Sequence, residues 1–341
     1  MKIEDSLPSG LIRPEGPWTH RNVNANGARF HVVQAGPSSS HAVLLLHGFP
    51  QYWWAMRAQL EALAAAGYNA VAMDLRGFGG SDRQPSGYDV ATLTKDCTGV
   101  LTSLGISKAV LVGQGIGGSL AWATPAVAPR QVAAIITLGA PHPLAIRSLR
   151  GRAFTGGAAQ YLFFQLPWLP ERALRTGSLV HSPMRSWAAP ENRDLVNGLA
   201  DRYASLFTNP FAATSALAYL RQTRKLIGAQ RDLLRQRVNV PVLSLQGQVD
   251  PIMPGQAFAR DAHYVAGPLS QQAILGAGHF LSEEAPEAVN TALLSFLQEL
   301  DWPTGSSSQP GNSALGSAGS THLAAMKNQA MAQHCPVGVR Q

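Results

Sequence analysis

The sequence predicts an α/β protein, a mostly parallel doubly wound sheet interrupted by an inserted helical cap. Three observations predict it. Short, continuously apolar runs alternate with segments of helical spacing, the pattern of strands buried on both faces of a parallel sheet. That rhythm stops at Pro141 and resumes only at Val240, with helical segments rich in Arg, aromatics and Pro between. And one apolar run, Ala109-Val-Leu-Val, breaks into Gly113-Gln-Gly-Ile-Gly-Gly118 and then into a helical pattern. Parallel sheets carry their sites at such strand ends.

The elements follow in order. Thr19 to Asn24 and Ala28 to Gln34 alternate around Asn26-Gly27, a strong hairpin signal, so two antiparallel strands open the fold. Ala42-Val-Leu-Leu-Leu46 is a buried strand ending in His47-Gly-Phe-Pro50. Trp54 to Ala65 has helical spacing and stops at Gly67, and Ala70-Val-Ala-Met73 is the next strand, ending at Asp74. Leu75 to Asp82 is a glycine-rich loop and Ala91 to Leu104 an amphipathic helix. The strand at 109, its glycine turn and a helix to about Ala128 come next, followed by Val132 to Leu138. Strands at 240–245 and 272–275 and a helix at 285–300 complete the sheet. The expected organisation is a core of residues 1–140 and 239–302, a helical cap of residues 141–238, and a disordered tail of residues 303–341, where Gly, Ser, Ala, Asn and Gln dominate.

Composition narrows the function classes. The 341 residues are 45% hydrophobic, enough for a sizeable core. Two cysteines, Cys97 and Cys335, suggest neither a disulfide framework nor a thiolate metal site. No apolar run approaches membrane-spanning length and the N-terminus lacks a signal-peptide core, so a cytoplasmic location is expected. The net charge of +7 is unevenly placed: residues 147–237 hold thirteen Arg and one Lys against five acids. Such a surface could meet an anionic membrane, although charge runs ordinarily just face water. No aromatic-interleaved basic repeat points to nucleic acid.

The glycine turn admits two chemistries. Gly113, Gly115 and Gly118 match the dinucleotide fingerprint G-x-G-x-x-G letter for letter. That fingerprint belongs in the first βαβ unit, with an acid closing the following strand; here the turn follows the third parallel strand, and the next strand ends Thr137-Leu-Gly-Ala-Pro without one. Both context tests fail. The other chemistry is the nucleophile elbow, which needs an oxyanion hole after an earlier strand and an Asp and a His after later strands. The chain supplies these in order: Phe49 and Ile116 as backbone N–H donors, Asp250 in Gly247-Gln-Val-Asp-Pro251, and His279 in Gly276-Ala-Gly-His-Phe-Leu-Ser-Glu-Glu284. The nucleophile position itself is Gly115.

The pieces His47-Gly-Phe-Pro-Gln-Tyr-Trp-Trp54, Asp74-Leu-Arg-Gly-Phe-Gly-Gly-Ser-Asp82, Gly139-Ala-Pro-His-Pro143, Phe163-Phe-Gln-Leu-Pro-Trp-Leu-Pro-Glu171, Asp250 and Gly278-His279 resemble the α/β-hydrolase superfamily, and within it the epoxide hydrolase group related to haloalkane dehalogenases. The resemblance spans roughly residues 19 to 300. It implies an elbow Asp that attacks the epoxide carbon, a His-activated water that hydrolyses the ester, and two cap Tyr that donate to the epoxide oxygen. No cofactor is implied. Where the family elbow reads Gly-His-Asp-Trp-Gly-Gly, this chain has Gly113-Gln-Gly-Ile-Gly-Gly118. The two cap Tyr positions align with Gln160 and Leu220, with Tyr161 and Tyr219 one place off. Phe49, Trp54, Phe163, Phe164 and Trp168 are the expected pocket liners. Glycine has no atom to attack with, so the expectation is a binder of a hydrophobic small molecule without covalent chemistry. Two rivals stand beside it: a hydrolase in which Asp250 and His279 activate water directly, and a scaffold that meets a membrane surface through the basic cap.

Overall fold

The computed structural model describes residues 9–148, 162–222 and 228–301. Tyr161, Gln160 and the 303–341 tail lie outside the described residues. Eight strands form one sheet in the order β1-β2-β4-β3-β5-β6-β7-β8. The strands are β1 (Thr19–Ala25), β2 (Ala28–Ala35), β3 (Ala42–Leu46), β4 (Asn69–Met73), β5 (Ala109–Gln114), β6 (Val132–Leu138), β7 (Val242–Gly247) and β8 (Leu269–Ile274). β1 pairs antiparallel with β2, and β2 antiparallel with β4; every later pairing is parallel. Asn26 and Gly27 both take positive φ, 44° and 74°, as a tight two-residue hairpin demands.

The continuously apolar runs are the central strands. All residues of β3, β4 and β5 are buried, because helices cover both faces. The helices Arg57–Ala65, Val90–Ser103, Ile116–Val127 and Pro286–Glu299 supply that cover. Asp89 caps Val90–Ser103 by accepting the Thr92 N–H at 3.0 Å. The edge strand β8 exposes Ser270, Gln271, Gln272 and Ala273, so its sequence is polar where its neighbours are apolar. Between β6 and β7 every described element is helical, from Pro143–Ser148 to Ala229–Arg235. No described helix is long and apolar enough to cross a membrane.

The motif Asp74 to Asp82 is architectural. Asp74 Oδ2 accepts His31 Nδ1–H and the Gly80 N–H, both at 2.8 Å, and its Oδ1 accepts the Trp53 N–H at 2.8 Å. One carboxylate thereby ties β2, β4 and the loop after β3 together. Burial alone would raise its pKa; the His31 bond reverses this and holds it below the usual range.

A second buried carboxyl, Asp261, accepts the His142 N–H at 2.7 Å and Ser244 Oγ–H at 3.0 Å, joining the ends of β6 and β7. Desolvation pushes it up to about 7 from an ordinary 3.8. Its folded pKa exceeds its unfolded one, so the native state holds an extra proton across that window. This contribution to stability is complete below pH 4 and falls as pH rises towards 7. In urea unfolding between pH 5 and 7.5, Asp261→Asn is expected to flatten the loss of stability with rising pH. An unchanged slope would contradict the assignment.

Candidate active site

The site begins where β5 stops. Gly115 follows Gln114 with φ 52° and ψ −111°, a sharp reversal, and the helix Ile116–Val127 starts at the next residue. The flanking glycines are required by close approach. A Cβ at Gly113 would collide with the Gly117 carbonyl, one at Gly117 with the Leu46 carbonyl, and one at Gly118 with Ala140 Cβ. Gly115 differs: a Cβ there would meet only His279 Nε2 at 3.5 Å and Gly48 Cα at 3.7 Å, ordinary contacts. The turn has room for a side chain that the sequence does not supply.

Phe49 follows β3 and Ile116 opens the helix, so the two expected donors flank the turn from two different strand ends. The Ile116 N–H has no acceptor within its own helix, and no side chain caps that terminus. Beneath this loop lies His47, fully buried, whose Nδ1–H donates to the Gly48 carbonyl at 2.9 Å while its Nε2 accepts the Leu75 N–H at 3.0 Å. Those two bonds fix a neutral tautomer, and burial lowers its pKa in agreement. His47 is therefore a strut of the loop.

Asp250 and His279 meet. His279 Nδ1–H donates to Asp250 Oδ2 at 2.9 Å, with side-chain exposures of 6% and 0%. Asp250 Oδ1 accepts the Ile252 and Met253 N–H groups at 2.9 and 3.0 Å, an Asx turn that locks the carboxylate. The imidazole is held from behind by a Trp187 edge at 5.4 Å, and the His279 N–H donates to the Trp187 carbonyl at 2.9 Å. Its Nε2 faces the Gly115 turn. His, Asp and elbow thus converge at the carboxyl ends of β8, β7 and β5.

Other residues of the site were not read from sequence. Glu284 is buried and takes four donors: the Gly278, Phe280 and Ala189 N–H groups, each at 2.8 Å, and Asn192 Nδ2 at 3.2 Å. It grips the chain on both sides of His279 and fastens it to the helical segment. Glu283, next to it, accepts Gln51 Nε2 and the Tyr203 hydroxyl, each at 2.6 Å, and Arg57 at 3.3 Å. Burial raises its pKa against those three donors. Gln114 extends the network, donating to Gln51 Oε1 at 3.0 Å and accepting the Ser282 N–H at 3.0 Å. The available signal was a pair of adjacent acids inside an apolar run and directly before Ala285-Pro286, a setting where carboxylates are rare unless partnered.

One expected pocket liner is corrected. Trp168 is 67% exposed, because it sits at positive φ in a Pro-Trp-Leu-Pro turn that points its ring outward. Trp54 is occupied by cations, with Arg202 4.1 Å and Arg57 5.0 Å from its ring and Trp18 edge-on at 6.0 Å. Phe164 is buried and packs edge-on against Phe49 at 5.8 Å, and Phe163 is partly buried on the same core. Tyr219 packs against Phe78 and Tyr88 at 5.4 and 5.5 Å; its hydroxyl has no hydrogen-bond partner among the described residues, and burial holds its pKa well above that of free tyrosine. Part of the basic excess is also internal, since Arg202 bonds Tyr52 and Leu11, and Arg221 bonds Glu171, Phe164 and Leu166. No group of three or more metal-ligating side chains occurs among the described residues.

A parallel sheet with an elbow after one strand and a His–Asp pair after two later ones defines an α/β-hydrolase, and residues 41–286 match the family model described as alpha/beta hydrolase fold. Epoxide hydrolase A of Mycobacterium tuberculosis is 33% identical, over 84% of this chain and 99% of its own length. Epoxide hydrolase 4 of Homo sapiens is 30% identical over 86% and 82%, and epoxide hydrolase 3 of Xenopus tropicalis 35% identical over 80% and 76%. The crystal structure of epoxide hydrolase A from Mycobacterium thermoresistibile superposes with a TM-score of 0.71 at 28% identity, covering 83% of this chain and 99% of that one. The chain therefore belongs to the α/β-hydrolase fold family, among its epoxide hydrolase-like members.

Proposed function

We propose that this chain binds a hydrophobic small molecule in an epoxide hydrolase-like site and lacks the covalent step. The observation that carries this reading is Gly115, the one glycine of the turn whose missing side chain would meet open space rather than a collision, at the position where the family nucleophile is expected. Covalent catalysis needs an attacking atom, and none is there. The rest of the apparatus persists around it: the uncapped helix start, the strut His47, and the His279–Asp250 pair at 2.9 Å.

That same pair favours a second reading, direct attack by a water held on His279 Nε2, with Asp250 orienting the imidazole. Assays of aryl and fatty-chain epoxides and activated esters separate the two. Wild-type turnover should be at background and unchanged in His279→Ala. Turnover lost in His279→Ala would replace binding with the direct hydrolase. A trapped ester on any wild-type residue would remove both.

A further inference from the structure

We infer that the turn at Gly115 receives the carboxylate of an apolar acid, such as a fatty acid, in place of the side-chain carboxylate the turn is built to hold. This rests on reading Gly115 as a position without a nucleophile. Four features of the site lead there.

The first is electrostatic. The helix Ile116–Val127 is twelve residues long, and its amino end, uncapped by any side chain, points at the turn. Such ends carry partial positive charge and favour anions. An Asp at position 115 would neutralise that end from within the chain; glycine removes the charge and leaves the field that favoured it. The second is polar and buried. The His279 side chain is only 6% exposed, Nδ1 is committed to Asp250, and Nε2, aimed at the turn, has no hydrogen-bond partner among the described residues. A carboxylate bound against Nε2 makes a carboxylate–imidazolium contact, the imidazole taking its proton from solvent or from the acid form of the ligand, and Asp250 balances the imidazolium. No covalent bond forms or breaks beyond that proton transfer.

The third is steric. Outside Gly115 and its two chain neighbours, only His279 Nε2 at 3.5 Å and Gly48 Cα at 3.7 Å come within 4 Å of the place of the absent Cβ, so no other residue fills the side of the turn that faces Nε2. Nor does a nearby acid compete: Glu283 and Glu284 are each saturated by three or four donors, and residue 114 is a neutral Gln. The fourth is the apolar surround. Phe49, beside the turn, packs on Phe164 at 5.8 Å and Phe207 at 6.5 Å, and Trp187 backs His279. A charged head with an apolar body matches this division; a neutral alcohol can hydrogen-bond to Nε2 but leaves the positive helix end without a counter-charge.

Titration calorimetry with octanoate and with 1-octanol tests the assignment on the whole chain. Octanoate should bind wild type at least roughly tenfold more tightly than octanol, the size expected for hydrogen bonds to a charged group. Gly115→Asp puts a fixed carboxylate in the same place and should weaken octanoate by about tenfold or more while octanol changes little. His279→Leu, which does not depend on backbone strain at position 115, should cost octanoate a similar factor. Equal affinity for the acid and the alcohol in wild type, or octanoate binding indifferent to both variants, overturns the assignment. If wild type is meanwhile silent on epoxides, the non-covalent reading survives that outcome. An ester trapped on the wild type would remove both.

Discussion

Gly115→Asp is expected to gain aryl-epoxide hydrolysis by roughly 10³-fold or more over wild type, because removal of a catalytic nucleophile ordinarily costs that much or more. The site is shaped for it. The new Cβ would stand 3.5 Å from His279 Nε2 without displacing backbone, and the carboxylate beyond it would lie within hydrogen-bond reach of the imidazole. Its oxygen can attack the less hindered or benzylic carbon, the ring C–O bond breaks with the leaving oxygen taking a proton from solvent, and the ester is then open to water activated by His279. Adding His279→Gln should stop the second half-reaction, so that the intact mass rises by one substrate. The backbone sets the cost. A non-glycine residue at φ 52°, ψ −111° is strained by about 1 to 3 kcal/mol, and Gly115→Asp should unfold at correspondingly lower urea concentration than wild type. A well-folded, inert Gly115→Asp that forms no ester would mean that more of the family chemistry has gone than the nucleophile.

How much of this was legible in the sequence depended on whether a residue's role is local. Apolar runs and the Asn26-Gly27 turn announce themselves by period and backbone demand, so the sheet and its opening hairpin could be read directly. The order His47-Gly-Phe, Gly113 to Gly118, Asp250, His279 was legible because each sits just past a strand, and parallel strands deliver their ends to one edge. Side-chain direction was not. Trp54 and Trp168 looked alike as aromatic liners, yet one meets Arg57, three residues on, and Arg202 from a distant segment, and the other is turned outward by a positive φ. The Arg202 contact, which comes from 148 residues further along the chain, is not encoded near Trp54. Nor could sequence separate Gly115 from its neighbours: all four look like turn glycines, and only the packed structure shows three held by collisions and one held by its positive φ with space beside it.

Glu284→Ala should be the most destabilising single change around His279, and its effect should reach the imidazole. The carboxylate meets the Gly278, Phe280 and Ala189 N–H groups at 2.8 Å in a buried setting. Removing it strands three buried backbone donors, and each unsatisfied group costs about 1 to 3 kcal/mol. Even partial rescue by entering water leaves a loss of roughly 3 to 5 kcal/mol, a large part of an ordinary stability of about 5 to 15 kcal/mol. Glu284→Gln keeps one acceptor oxygen and should fall between. Because two of the stranded donors flank His279, the ring should also lose its fixed approach to Asp250. The ¹⁵N signals of the His279 ring should then broaden or shift in Glu284→Gln under conditions where that variant is fully folded. A loss below about 1 kcal/mol with unchanged His279 signals would show that the four contacts of Glu284 are dispensable, and that the His279 loop is set by Trp187 and the Asp250 turn alone.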